Sequence, residues 1–416
     1  MLMLIAALCA VPMACKKIEE RYLAEETGYY DHKFNFLLIY MTADNDLSPY
    51  AVDVLNRLEK GAAGAWVYCD LADSAVTSAP FIMQITKDDS AEIVSPVVKS
   101  YPEQNSLDRN VMYRVLQDMK SLAWQSLPRD SRYLPVFHLV VWGHGSSFFP
   151  GEKEVTAPKT TASPLPKIGS RSLGWDEGFG GRSFMNLKDF KWVIGDLNFY
   201  SVIFDSCHMA TAEVYEELKD CCRFFAASPT EMPAEGLRYE FLNPDGEYDF
   251  DAGNYDYDLS LFGDLFRVSR DYYAQQPTPE KQSFCFLSIR TNQFSFARDD
   301  TVFRTALESR LQTDPGFLKT LYDGLQPAAA ADTASGEKSL LFDMEGLYTA
   351  LELPSPFTGE NPAGFEMVST ETISNTMPAP KGLSFYFPIA SEPEINAAYN
   401  GLAFARYGLS GYMVTE

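Results

Sequence analysis

Two apolar runs that stop abruptly at reactive groups limit the fold more than any other feature of the chain. Val136 to Trp142 leads into Gly143-His144-Gly145, and Phe199 to Phe204 leads into Asp205-Ser206-Cys207. Both runs are β-branched and aromatic, too short for helices, and bounded by breakers, which predicts strands buried on both faces of a parallel sheet. Open α/β sheets gather their chemistry beyond the carboxyl ends of strands. An imidazole and a thiol delivered to that edge by two strands make a base and a nucleophile.

The surrounding pattern alternates. Phe34 to Met41 is another buried-strand run, and Asp46 or Ser48 is expected to cap the helix that follows, in which Leu47, Val52, Val54, Leu55 and Leu58 recur and Gly61 ends the element. Ala65 to Cys69 and Phe81 to Ile85 read as strands, and Asp108 to Trp124 as a helix with Val111, Val115, Leu116 and Met119 on one face. Asn186 is placed to cap a helix over Leu187 to Ile194, Met209 to Leu218 reads as an amphipathic helix, and Phe224 to Ala227 as a short strand. Strands alternating with helices predict an α/β, doubly wound, mostly parallel sheet flanked by helices.

Ser146 to Arg182, rich in Pro, Gly, Ser and Thr, reads as a long exposed loop. Past residue 240, helices near Leu259–Gln275 and Val302–Tyr322 and a strand within Gly382–Pro388 predict a C-terminal α+β extension. The expected organisation is a catalytic domain over 33–240 and a subdomain over 241–416 packed on it. With 416 residues, of which 46% are apolar, the chain has ample material for such a core.

A formal net charge of −23 argues against nucleic acid as a partner, since no basic stripe is present to meet phosphates. Leu2 to Met13 is apolar but too short to span a bilayer, and Val11-Pro-Met-Ala-Cys15 followed by two lysines resembles a bacterial lipobox. Residues 1–15 are therefore expected to be a lipoprotein-type signal segment with Cys15 as the acylated residue, and 16–32 a tether. That points to export and a lipid anchor in the bacterial envelope or cell surface. Of the seven cysteines, Cys9 and Cys15 fall in this segment, and no CxxC pair suggests a zinc site or a disulfide framework.

A free thiol near pKa ~8.5 is mostly protonated at neutral pH, so a reactive cysteine needs a base or a positive field. A helix starting near Met209 would supply the field to Cys207, and His144 would take the proton and later return it to a leaving amine. Gly145 allows close approach of backbone, and its N–H with that of Cys207 would bind an oxyanion. The bland alternatives are a hydrogen-bonded core histidine and an inert buried cysteine. A Cys-His-His metal site through His144, Cys207 and His208 is a further rival. Glu213 reads as a packing or hydrogen-bonding residue, His32 and His138 carry no assigned role, and Asp44 and Asp46 line the cleft or bind a cation, with helix capping as the plainer account of Asp46. The acidic run from Asp245 to Asp258 is chemically suited to calcium but lacks EF-hand spacing, so no cofactor is required and calcium remains an option.

Several segments taken in order resemble the clostripain family of the caspase-like clan of cysteine peptidases. They are Tyr40-Met-Thr-Ala-Asp-Asn-Asp-Leu47, Leu139-Val-Val-Trp-Gly-His-Gly145, Phe204-Asp-Ser-Cys-His-Met-Ala-Thr-Ala-Glu213, Ala227-Ser-Pro-Thr-Glu-Met-Pro-Ala-Glu-Gly236 and Gly382-Leu-Ser-Phe-Tyr-Phe-Pro388. The resemblance implies a caspase-like fold, a His144–Cys207 dyad, and cleavage of proteins or peptides after Arg or Lys. It also implies an acid at the base of the primary pocket, Asp205, with Glu235 as a second pocket acid. Self-cleavage in the loop after His144 is implied as well, and Lys159 and Lys167 are favoured over Lys153, Arg171 and Arg182. The alternative is an inactive homologue that binds peptides or glycans at the surface.

Overall fold

The computed structural model describes residues 32–71, 79–127, 133–149, 173–178, 183–242, 257–277, 284–294, 296, 300–328, 340–357, 364–370, 372–373, 377–407, 409 and 411–414. The signal segment with Cys15, the tether up to residue 31, the cleavage candidates Lys159 and Lys167, and the acidic run up to Asp256 lie outside the described residues.

Nine strands form one sheet: β1 (His32–Ala43), β2 (Trp66–Leu71), β3 (Phe81–Gln84), β4 (Val97–Ser100), β5 (Tyr133–Trp142), β8 (Ser201–Asp205), β9 (Phe224–Ala227), β10 (Cys285–Arg290) and β12 (Phe365–Ser369). Their order across the sheet is β12-β10-β9-β8-β5-β1-β2-β3-β4. The middle five, β9, β8, β5, β1 and β2, run parallel, and both flanks are antiparallel. Small antiparallel pairs lie outside it: β6 (Leu173–Asp176) with β7 (Ser183–Met185), β11 (Leu341–Asp343) with β15 (Ser384–Tyr386), and β13 (Thr372–Ile373) with β14 (Met377–Pro378).

Alternation along β1 explains why both faces are covered. Phe36, Leu38 and Tyr40 enter one apolar cluster, while Leu37, Ile39 and Met41 enter another on the opposite side. The first cluster receives α2 (Arg109–Gln125), α3 (Leu187–Gly195) and α4 (Ala212–Leu218). The second receives α1 (Ser48–Gly61) and α5 (Tyr257–Ala274). Helices α6 (Asp300–Thr313), α7 (Phe317–Gly324), α8 (Met344–Ala350) and α9 (Pro393–Asn400) add Phe303, Leu321, Leu347 and Tyr399 to the first cluster. They form the C-terminal α+β extension, while β10 and β12 lengthen the main sheet. The expected mostly parallel, doubly wound architecture is what the chain adopts.

Local details depart from expectation in three places. Helix α1 has Leu47 at its N-cap with no side-chain cap, so neither Asp46 nor Ser48 caps it. The helix after Cys207 begins at Ala212, capped by Thr211 through the Val214 N–H, and not near Met209. His208 takes a left-handed conformation (φ +56°), which interrupts any helix starting at 207. The expected exposed loop over 146–182 is partly buried: Ser146 to Phe149 and Leu173 lie in the interior and β6 pairs with β7, while Glu177 and Gly178 are exposed. The Asn186 cap forms as expected, and Asp108, expected as the first residue of its helix, is the N-cap of a helix that begins at Arg109.

Candidate active site

Register sets the site. β5 and β8 pair in parallel, with Val141 opposite Phe204 and Trp142 opposite Asp205. The Gly143 N–H reaches the Asp205 carbonyl at 3.4 Å, so the two chains leave the sheet side by side. His144 and Cys207 are each two residues beyond their last paired position. Gly145 lies directly on the backbone of Cys207: a Cβ there would sit 2.5 Å from the Cys207 carbonyl oxygen, 2.9 Å from Met209 Cγ and 3.0 Å from Ser206 Oγ. Gly145 also bridges to Leu173, and Gly174 N–H donates to the His144 carbonyl at 2.9 Å, which ties β6 to the histidine turn.

The side chains differ in setting. His144 is 24% exposed, and its Nε2 lies 2.7 Å from Asp46 Oδ1. Cys207 is partly buried, and its Sγ accepts the Met232 N–H at 3.3 Å. Burial pushes its thiol up to about 11; the charges of Glu231 and Asp205 add to this, and the Met232 N–H opposes it. The expected assistance from a helix N-terminus is absent, because the cap, Thr211, lies four residues beyond Cys207. In this arrangement Cys207 is a neutral thiol.

Asp205 closes β8 and is only 3% exposed. Its Oδ2 accepts the Leu237 N–H at 3.0 Å and the Tyr239 hydroxyl at 2.7 Å, while Oδ1 is buried with no hydrogen-bond partner among the described residues. Burial raises its pKa, opposed by those two donors and by the Arg57 guanidinium. Gly236 packs on this carboxylate, with a Cβ there 2.6 Å from Asp205 Oδ2, and its φ of +66° is one that glycine adopts without strain. Glu235 is half-buried one residue earlier, and its carbonyl accepts from Arg57, which also donates to the Leu237 carbonyl at 2.7 Å. Arg238 pairs with Glu240 and stacks on Tyr272 at 3.7 Å, so its charge is engaged away from Asp205.

His208 and His138 are both buried. The His208 N–H donates to the Thr230 carbonyl at 2.9 Å, and its ring is buried. His138 is wedged in mid-sheet between Ser201 Oγ (2.8 Å) and Asn35 Oδ1 (3.0 Å), and burial drives its pKa down to about 3. Among the described residues no group of three or more His, Cys, Asp or Glu side chains is arranged to hold a metal ion, the proposed Cys-His-His set included.

Beside the site, under the turn after β1, lies a group of carboxyls that sequence reading did not assemble. Asp70 is pushed up to about 9 by burial and by the neighbouring charges of Asp176, Glu103 and Asp44. Burial and Asp176 push Asp44 up to about 6. Asp176 Oδ2 is held by Ser106 through its N–H (2.7 Å) and hydroxyl (2.8 Å). Cavities of about 400 and 430 Å³ occur elsewhere, one between α7 and α8 and one beside α6; neither is lined by the residues above.

A sequence profile of the clostripain family, peptidase family C11, matches residues 39–282. No curated protein matches the chain. Solved structures similar to it include a secreted C11 cysteine protease from Bacteroides thetaiotaomicron bound to an irreversible peptide inhibitor. That match has 21% identity and a TM-score of 0.59, and covers 88% of this chain and 96% of that one. An inactive zymogen C11 protease from Parabacteroides distasonis is similar at 18% identity and TM-score 0.62, over 90% of this chain and 98% of that one. These likenesses place the fold among those of C11 proteases. With the profile spanning more than half of its length, the chain belongs to the clostripain family and is a cysteine-type endopeptidase.

Proposed function

We propose that the chain is an exported endopeptidase that cleaves proteins or peptides after Arg or Lys through Cys207 and His144, and that it matures by cutting itself after His144 in the segment holding Lys159 and Lys167. The observation that carries this reading is the parallel pairing of β5 with β8, which brings His144 and Cys207 off neighbouring strands with Gly145 packed on the Cys207 carbonyl.

In the reaction, His144 takes the Cys207 proton as sulfur attacks the scissile carbonyl. The backbone N–H groups of Gly145 and Cys207 receive the oxyanion. The imidazolium then protonates the departing amine, and water, deprotonated by the same imidazole, hydrolyses the thioester. Burial raises the Cys207 thiol, so it stays protonated until a base takes its proton, which is the part given to His144. The similarity to a protein described as an inactive zymogen supports a latent resting form.

Asp205, with one buried oxygen left unpartnered, is the acid for a guanidinium or ammonium at the base of the primary pocket, and Glu235 lies at its rim. No cofactor enters these steps, and calcium would act, if at all, on the acidic segment past residue 243. Export with acylation at Cys15 fits the apolar leader, and the secreted nature of the Bacteroides relative supports an extracytoplasmic setting.

The test is a fluorogenic panel with Arg, Lys, Asp or Leu before the scissile bond, run on wild type, Cys207→Ala and Asp205→Asn. Turnover is expected for Arg and Lys only, absent in Cys207→Ala and reduced at least about a hundredfold in Asp205→Asn, as for loss of a buried charge partner. Preference for Asp would overturn the pocket assignment. No turnover and no labelling of Cys207 by a thiol-reactive basic peptide would favour a surface binding module for peptides or glycans.

A further inference from the structure

We propose that Asp46 is a positioning residue for the base: its carboxylate holds His144 at Nε2 and so presents Nδ1 to Cys207. The inference rests on the His144–Cys207 reading above. Three strands adjacent in the sheet, β8, β5 and β1, end in the thiol, the imidazole and this carboxylate in that order.

The contact is short, 2.7 Å from Nε2 to Oδ1, within the range of a charge-assisted hydrogen bond. The turn that carries Asp46 is fixed from several sides. Asn45 spans it, with Nδ2 donating to the Thr42 carbonyl at 3.0 Å and Oδ1 accepting the Leu47 N–H at 2.9 Å. The Asp44 carbonyl accepts the Glu177 N–H at 3.0 Å. Helix capping does not account for Asp46, since the cap position of α1 is Leu47.

A carboxylate on Nε2 selects the tautomer with its proton there, leaving Nδ1 as the acceptor. When the Cys207 proton moves to Nδ1, Nε2–H stays hydrogen-bonded to Asp46, which remains ionised and stabilises the imidazolium. The proton on Nδ1 then goes to the leaving amine, and the cycle balances. Asp46 is 69% exposed, so solvent screens it and its effect is smaller than that of a buried triad acid.

Steady-state kinetics of Asp46→Asn, Asp46→Ala and Asp46→Glu on a basic fluorogenic peptide, beside His144→Ala and Cys207→Ala, test this. Asp46→Asn is expected to lower kcat about threefold to tenfold, as suits an exposed pair, with KM within about twofold. The acidic limb of the kcat/KM profile, set by deprotonation of the imidazolium, should move to lower pH, and Asp46→Glu should restore most of the loss. The rate of Cys207 alkylation by iodoacetamide against pH should show the same shift without turnover. Wild-type kcat in Asp46→Asn, or a lower kcat with an unmoved limb, would overturn the role. If His144→Ala or Cys207→Ala retained turnover, the dyad itself would fall and this role with it. If both are inactive and Asp46→Asn behaves as wild type, only the assignment of Asp46 fails.

Discussion

Gly145 has no room for a side chain: the first atom of one would strike the Cys207 carbonyl, a backbone group that cannot swing aside. Gly145→Ala is therefore expected to leave the fold intact but displace the nucleophile, lowering kcat/KM by about a hundredfold, the cost of a shift near 1 Å. Matched circular dichroism with an unchanged rate would disprove it. The places of His144 and Cys207 at neighbouring strand ends were legible because each follows a β-branched and aromatic run too short for a helix. The partnership of Asp46 was not, because Asp-Leu-Ser-Pro fits a helix start equally well and His144 lies 98 residues away. The thiol's surroundings were misread for a related reason. Met209, Ala210 and Ala212 continue an apolar pattern across a break that only the left-handed backbone of His208 reveals.

Helix α4 follows the nucleophile and is fastened to β15 by a single buried carboxyl. Glu213 is 0% exposed, its Oε1 accepts the Tyr386 N–H at 2.9 Å, and burial pushes it up to about 7. Between an unfolded pKa of about 4.3 and the folded value, the native chain binds more protons than the unfolded one, so stability falls as pH rises through that window. Glu213→Gln keeps an acceptor for Tyr386 and removes the titration. Its thermal midpoint should depend less on pH between about 4.5 and 7 than that of wild type, and should be higher above pH 7. Parallel curves for the two proteins would refute this. Elements with long uniform patterns were readable in advance: β1, β5, α2 and α5 match their expected spans closely. β10 and β12 were not, since Ser288, Glu366 and Met367 break short runs that periodicity alone leaves ambiguous. β4 escaped because it is an exposed sheet edge with no buried face to impose a pattern.

For the chain as a whole, latency and maturation are the issue. Wild type should convert on storage or on addition of active enzyme into two fragments separated after Lys159 or Lys167, while purified Cys207→Ala alone should stay a single band. Identical banding of the two proteins under self-incubation would reject self-cleavage. The architecture and the strand ends that hold His144 and Cys207 were written in the apolar pattern, but the proton inventory was not. Asp70, Glu213 and Glu216, pushed up to about 9, 7 and 7, all hold protons in the folded chain that free carboxylates would have shed. The folded protein is thus less anionic near neutrality than a tally of its acidic and basic residues suggests. Denaturing it there should acidify an unbuffered solution.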